Sequence, residues 1–363
     1  MGQRAAPRPG TVVLNRYVNR RVTLLFCALT TGALILHSGA ACDHSPDRVG
    51  STNPASGAEN GRDVPPSPQK KDPTLASLSP AATDLLLGMG ARDHLVAVSN
   101  FDADRDETRG LPRVGDYRTQ DWEKLSALRP RKMIIQLRPD RLPAGLGDRA
   151  QELGIELVNL TIDGLDDVFK AIPQLGKAAG EEARAAARLE QLQKQFETVR
   201  RRVVNAPKVK TLIVVNDDGR SVAGPGTFLD DILKAAGGEN AAAPLGIQWP
   251  TVDREKILEL QPQVVIHLLP AASPQVVREA QKFWADLPQV PAVKDKRVHV
   301  LTEWYALLPG DHVGAMAEQY ALILHPFANL KALTGGKTQT EPPARLLRPA
   351  PEAPAATPEP KPQ

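Results

Sequence analysis

Short apolar runs alternate with amphipathic stretches over most of the chain. Runs such as "HLVAV" at 94–98 and "KMIIQ" at 132–136 have the length and composition of buried strands, whereas "AATDLLLGMG" at 81–90 has helical spacing. The same alternation resumes after Pro207 with "VKTLIVV" at 209–215. This order of elements predicts an α/β fold built from parallel β-α units.

A different pattern separates the two alternating regions. The stretch "EEARAAARLEQLQKQFETVRRRVV" at 181–204 is rich in strong helix formers and contains neither glycine nor proline. We therefore predict one long connecting helix within 163–206, between an N-terminal lobe at 73–162 and a C-terminal lobe at 207–330. The predicted fold is two Rossmann-like lobes with parallel sheets joined by a long backbone helix.

The two lobes also repeat each other in sequence. "DWEKLSALRP" at 121–130 and "DREKILELQP" at 253–262 share the pattern Asp-x-Glu-Lys-(Leu/Ile)-x-x-Leu-x-Pro, and "DLLLGMG" at 84–90 is matched by "DILKAAG" at 231–237. A repeat in both lobes indicates that they share one topology.

Both ends of the chain read differently from this folded part. Residues 1–42 have basic residues before a short apolar run and end in "SGAAC", which resembles a bacterial lipobox with Cys42 as the lipidated residue. An ordinary signal peptidase site and an uncleaved anchor are the alternatives. Residues 43–72 are predicted to be a disordered tether, and the Pro/Ala-rich stretch at 331–363 a disordered tail. The chain is thus expected outside the cytoplasm, anchored to a membrane by lipid.

Charge and cysteine content exclude several classes of function. The 45 Lys and Arg residues are interleaved with 42 Asp and Glu residues, for a net charge of +3, which argues against a nucleic-acid partner. Cys27 and Cys42 both precede the folded part, so it has neither a disulfide framework nor a cysteine-rich zinc site. We expect a monomer.

The repeated stretch carries candidate functional residues. Glu123 and Glu255 fall in the predicted first helical turn, and taken singly each reads as a charge that favours the start of a helix. An aromatic residue precedes each glutamate by six positions, Tyr117 in one lobe and Trp249 in the other. Because such loops leave the carboxyl ends of parallel strands, where open α/β sheets bind ligands, we expect both aromatics at a ligand cleft and both glutamates on its outer rim.

Other residues follow predicted strands in the same way. Ser79 and Pro80 form a helix start whose free N–H groups could meet a polar ligand group. Phe101 follows one predicted strand, and Trp304 and Tyr305 follow another. An aromatic residue in a loop can equally pack against its own lobe, and that alternative stays open for each ring.

Five stretches together resemble a known family, the class III periplasmic binding proteins of ABC importers that bind vitamin B12 and iron siderophores. They are "LASLSPAATDLLLGMGARDHLVAVSNF", "LPRVGDYRTQDWEKLSALRPRKMII", "GPGTFLDDILKAAGGEN", "WPTVDREKILELQPQVVI" and "VKDKRVHVL". The resemblance implies a binding protein that captures a corrinoid such as cobalamin and delivers it to a permease and its ATPase. Ferric siderophores and haem are the alternative ligands.

The same resemblance assigns roles to residues of this chain. It implies that Tyr117, Trp249 and Phe101 line the ligand cleft. It also implies that Glu123 and Glu255 dock on arginines of the permease, one from each lobe.

Metal binding and catalysis are the alternatives to this interpretation. Of the seven histidines, His267 and His299 lie on apolar strands and are expected in the core, and His94 and His312 are too isolated to form a bare metal site. His312 beside Asp311 could ligate iron or cobalt of a bound chelate. Nucleotide-binding loops, nucleophile elbows and zinc-protease motifs are not found, so no catalytic residue and no cofactor are predicted. A secreted α/β enzyme is the distant alternative.

Overall fold

The computed structural model describes residues 71–326. The predicted signal segment with Cys42, the tether up to residue 70 and the tail at 331–363 lie outside the described residues. None of the helices described within 71–326 combines the length and the apolar composition of a membrane span.

Strands and helices alternate through both lobes. The strands are β1 Leu75–Ser77, β2 Leu95–Ala97, β3 Lys132–Gln136, β4 Glu156–Leu160, β5 Val209–Val214, β6 Gly238–Asn240, β7 Val264–Leu268 and β8 Val298–Leu301. The helices are α1 Pro80–Gly88, α2 Trp122–Leu128, α3 Leu146–Glu152, α4 Leu165–Ala179, α5 Glu182–Val203, α6 Phe228–Ala235, α7 Arg254–Leu260, α8 Pro274–Ala285, α9 Pro291–Lys294 and α10 Val313–Leu324.

Each lobe contains one four-stranded sheet, and the two sheets have the same topology. Their strand orders are β2-β1-β3-β4 and β6-β5-β7-β8, with parallel pairing throughout. The predicted α/β class, the parallel sheets and the internal repeat are therefore confirmed. Strand β6 was not predicted, because its three residues "GEN" carry no apolar side chain that would mark a strand.

The connecting segment predicted at 163–206 contains two helices, α4 and α5, of which α5 is the longer. Helix α4 ends at Gly180, whose φ of 71° is the left-handed conformation that glycine adopts without strain, and α5 begins two residues later. Gly176 lets the two helices approach closely, because a Cβ atom there would lie 2.4 Å from the Cβ of Ala185. The favourable composition of 181–204 describes α5 alone.

One hydrophobic core runs through both lobes and the helices between them. Leu85 of α1, Ile172 of α4, Phe196 of α5 and Leu229 of α6 are all fully buried in the same cluster. Helix α4 contacts both α1 and α6, so it packs on the first helix of each lobe. The lobes are thus held by shared packing as well as by the chain connection.

Candidate ligand cleft and docking helices

The repeated stretch forms two matching helices, α2 and α7. The Asp121 carboxylate accepts the Lys124 N–H at 3.0 Å, and the Asp253 carboxylate accepts the Lys256 N–H at 2.8 Å. Each aspartate satisfies one backbone donor that the start of a helix leaves free. The predicted caps at both positions are confirmed.

Both first-turn glutamates are exposed on these helices. Glu123 lies on α2 and Glu255 on α7. In the part of the chain that the structure describes, neither carboxylate is paired with a basic side chain. Glu255 also lines a cavity of about 360 Å³ whose other lining residues are Arg220, Asp253, Arg254 and Phe283. The two carboxylates are therefore available to basic groups of a partner.

Tyr117 lies in a tight hairpin before α2. The hairpin is closed by antiparallel bridging of Gly115 with Gln120, and the Asp116 carboxylate accepts the Thr119 N–H at 3.0 Å. Gly115 has a φ of +103°, and a Cβ atom there would lie 2.1 Å from the Thr119 carbonyl oxygen. Only glycine fits this close approach. The half-buried Tyr117 ring therefore lies on a tight loop that is clear of the main core.

Trp249 occupies the equivalent loop before α7 but is packed differently. The Gly224 N–H donates to the Gln248 carbonyl at 2.7 Å, and a Cβ atom on Gly224 would lie 1.9 Å from the Ile247 carbonyl oxygen. The half-buried Trp249 ring packs against the core that both lobes share. The two predicted cleft aromatics thus lie on equivalent loops. Trp249 packs against the shared core, whereas Tyr117 lies on a hairpin clear of it.

The Ser79 hydroxyl is already engaged in the structure. It accepts the Ala82 N–H at 3.2 Å as the helix cap and donates to Gln136 Oε1 at 2.8 Å, and the residue is 2% exposed. Pro80 begins α1 as predicted. The assignment of Ser79 and Pro80 to the ligand stays a prediction, and it concerns the backbone rather than this hydroxyl.

Phe101 is exposed, and the neighbouring Asp102 holds its loop through hydrogen bonds. The Asp102 carboxylate accepts the Ser99 N–H at 2.8 Å and the Thr83 hydroxyl at 3.2 Å. Burial raises the pKa of Asp102 to about 6, although these hydrogen bonds act against the shift. The 40% exposed Phe101 ring therefore stands on a loop held by hydrogen bonds, and its assignment to the ligand cleft stays a prediction.

Trp304 and Tyr305 follow β8 and form an aromatic cluster with His312. The Tyr305 and His312 rings stack with centroids 4.4 Å apart and planes at 15°, and Trp304 meets His312 edge-on at 4.9 Å. Arg105 of the N-terminal lobe places its guanidinium 4.2 Å from the Trp304 ring centroid. The loops of the two lobes thus meet at these rings.

A buried carboxylate, Asp84, links these loops. Asp84 is 1% exposed and accepts hydrogen bonds from Arg105 Nη1 at 2.8 Å, the Asp311 N–H at 2.7 Å and His312 Nδ1 at 3.0 Å. Burial acts to raise the pKa of Asp84, but the hydrogen bonds and charges of His312 and Arg105 hold it below the ordinary value. We call these four residues the Asp84 cluster. Sequence analysis missed it, although an acid on the apolar face of "DLLLGMG" was a signal.

The structure shows the burial and the contacts of the histidines that were expected in the core. His267 is fully buried, accepts the Trp284 Nε1–H at 3.1 Å and contacts the Asn216 carbonyl through Nε2 at 2.6 Å, so its place in the core is confirmed. His299 is only half-buried. Over the described residues 71–326, no group of three or more His, Cys, Asp or Glu side chains could hold a metal ion.

A model of the periplasmic binding protein family matches residues 75–305. The match spans more than half of the chain, and the chain therefore belongs to this family.

One relative in sequence and two solved structures show which kinds of periplasmic binding protein the chain resembles. The chain is 25% identical over 219 residues to the vitamin B12-binding protein of Yersinia pseudotuberculosis serotype O:3 (strain YPIII), covering 60% of this chain and 76% of that protein. The crystal structure of the Vibrio cholerae periplasmic vitamin B12-binding protein has a TM-score of 0.59 at 21% identity and covers 71% of this chain and 98% of its own. A periplasmic haem-binding protein from Pseudomonas aeruginosa has a TM-score of 0.60 at 22% identity, with coverage of 70% and 93%. The structural likenesses show the fold.

The family defines the general role of the chain. It is a substrate-binding protein of the ABC importer type, which acts outside the cytoplasm together with a permease and its ATPase. The family and these structural neighbours are binding proteins for transport, not enzymes.

Proposed function

We propose that this protein captures a metal chelate, a corrinoid first of all, in the cleft between its lobes and presents it to a membrane permease. The observation that carries the proposal is the matched pair of loops and helices: Tyr117 before Glu123 in one lobe and Trp249 before Glu255 in the other, on sheets of identical order. Each lobe then offers one ring to the ligand and one carboxylate to the partner.

The aromatic groups support a large ligand with flat faces. A ring stacked on a flat ligand contributes about 0.5–1.5 kcal/mol beyond burial, and the exposed Phe101 adds a further ring at the ends of the strands. A corrinoid is favoured because the Yersinia relative is a vitamin B12-binding protein. Haem is the second candidate, since the Pseudomonas neighbour is a haem-binding protein, and a ferric siderophore is the third.

The exposed glutamates support weak docking on the permease. An exposed Glu–Arg pair contributes about 0–1 kcal/mol, so one pair from each lobe would orient the protein on its partner without trapping it there.

Lipidation of Cys42 would keep the protein near the permease. Cys42→Ser should then release the protein from the membrane fraction. Recovery of the serine variant in the membrane fraction would exclude the lipid anchor.

The docking role is tested by ligand uptake into proteoliposomes that contain the partner permease and ATPase. Glu123→Ala combined with Glu255→Ala should abolish the stimulation of uptake, because both carboxylates that orient the protein are lost. Ligand affinity, measured separately by titration, should hold.

A matched control is available on α5. Glu182 is also an exposed first-turn glutamate, and Glu190 is exposed on the same helix, so Glu182→Ala with Glu190→Ala removes the same charge elsewhere. This control should stimulate uptake normally. An unchanged uptake rate for the Glu123/Glu255 variant would contradict the docking role.

A further inference from the structure

The His312 side chain is held on the buried carboxylate of the Asp84 cluster. Its Nδ1 atom lies 3.0 Å from Asp84 Oδ2, and the Asp84 side chain is 1% exposed. The same carboxylate accepts hydrogen bonds from Arg105 Nη1 at 2.8 Å and from the Asp311 N–H at 2.7 Å, so its oxygens act as acceptors throughout the cluster. The proton that His312 shares with Asp84 is therefore on Nδ1.

This arrangement leaves the other ring nitrogen free. A neutral imidazole with its proton on Nδ1 has a lone pair on Nε2. Among residues 71–326, Nε2 of His312 has no hydrogen-bond partner, and the side chain is 33% exposed. An imidazole whose Nδ1–H is bound by a carboxylate is the usual form of a histidine that ligates a metal through Nε2.

The His312 ring lies beside aromatic side chains at the junction of the two lobes. His312 stacks on Tyr305 with planes at 15°, and the neighbouring Trp304 lies under Arg105 of the other lobe at 4.2 Å. The imidazole is thus among aromatic rings where loops of both lobes meet.

We propose that His312 Nε2 is an axial ligand of the metal in the captured chelate and that Asp84 positions the imidazole. The proposal rests on the proposed capture of a metal chelate and narrows its class. In the binding step, a metal–Nε2 bond forms, a metal–water bond breaks and water leaves, with no change of oxidation state.

The ligand class follows from the number of open metal positions. A porphyrin or corrin occupies the four equatorial positions of iron or cobalt and leaves axial positions for a protein side chain. A hexadentate siderophore fills all positions of its iron and leaves none for an imidazole. His312 therefore favours a tetrapyrrole over a ferric siderophore.

The test uses the full chain in mild detergent, titrated with haemin, aquocobinamide and ferrichrome and followed by visible absorption. The unaltered protein should bind a tetrapyrrole with the spectrum of a nitrogen-ligated metal. His312→Ala should lower that affinity at least tenfold and give a water-ligated spectrum, and added imidazole should restore the nitrogen-ligated bands. His299→Ala, the control at a half-buried histidine on β8, should leave spectrum and affinity unchanged.

The possible outcomes test the axial role of His312, the class of ligand and chelate capture separately. A wild-type spectrum and affinity for His312→Ala would overturn the axial role while chelate capture stands. Binding of ferrichrome alone would overturn the tetrapyrrole class, and binding of none of the three would overturn the proposed function itself. If His312→Ala does not fold, the unaltered chain with ¹⁵N-labelled histidine and bound ferric haem should show nitrogen coupling by pulsed electron paramagnetic resonance. Its absence would equally exclude ligation.

Discussion

The two lobes hold each other through equivalent aspartates on their first helices. Asp84 of α1 accepts the N–H of Asp311, which follows the last strand of the C-terminal lobe, at 2.7 Å. Asp231 of α6 accepts the N–H of Leu165, which follows the last strand of the N-terminal lobe, at 3.0 Å. The duplicated fold has therefore kept a reciprocal contact, in which each lobe binds the segment that leaves the other.

A glycine precedes each bound N–H group and permits the approach. A Cβ atom on Gly310 would lie 2.4 Å from Asp84 Oδ2, and one on Gly164 would lie 3.0 Å from Asp231 Oδ2. The Asp84 side also holds Arg105 and His312, whereas Asp231 is only half-buried. The backbone contact is common to both lobes, and the charged cluster beside the aromatic rings belongs to one of them.

Replacing the two equivalent aspartates should lower the stability of the protein by unequal amounts. Asp84→Ala leaves Arg105 with a side chain only 14% exposed and without its carboxylate, so we expect the free energy of unfolding to fall by about 3 kcal/mol. Asp231→Ala removes one hydrogen bond at a half-buried site and should cost about 1 kcal/mol. Urea denaturation followed by circular dichroism measures both, and equal losses would contradict the asymmetry.

The two aromatic loops should contribute unequally to ligand affinity. Trp249→Ala should weaken ligand binding at least tenfold, since this ring is larger and anchored on the core. Tyr117→Ala should weaken it by about threefold, because the smaller ring lies on a loop clear of that core.

Calorimetric titration distinguishes the two variants. Phe283→Ala removes a half-buried ring of α8 beside Glu255 and serves as the control for loss of an aromatic group. Equal affinities for Trp249→Ala and the unaltered protein would exclude Trp249 from the cleft.

A further difference between the lobes is a pH dependence of stability that we expect from the N-terminal lobe alone. In that lobe Thr83 of α1 binds the loop carboxylate Asp102, whereas in the other lobe the helix carboxylate Asp230 binds Asn240 at 3.0 Å. Burial raises the pKa of Asp102 from 3.8 to about 6, so the folded state binds its proton more tightly than the unfolded state. The free energy of unfolding should therefore fall by about 1–3 kcal/mol as the pH rises from about 4 to about 6.

Asp102→Asn should remove this component of the pH dependence. The difference in unfolding free energy between the variant and the unaltered protein should change over pH 4–6 and be constant above about pH 7. A constant difference across the whole range would show that Asp102 titrates normally.

Local sequence patterns predicted much of the fold and only part of the site. The caps at Asp121 and Asp253 and the strand ends follow from residues close in the chain, and the repeat predicted that both lobes share one topology. The break at Gly180 was missed because the helix formers after it dominated the interpretation. The Asp84 cluster joins residues more than two hundred positions apart, and local periodicity carries no information on such pairs.

Capture of a metal chelate is tested most directly by isothermal calorimetry of the full chain with aquocobinamide, haemin and ferrichrome. We expect saturable binding of a tetrapyrrole at one site with a dissociation constant below about 1 μM, weakened at least tenfold in Trp249→Ala. No heat of binding for any of the three chelates up to about 100 μM would contradict the account.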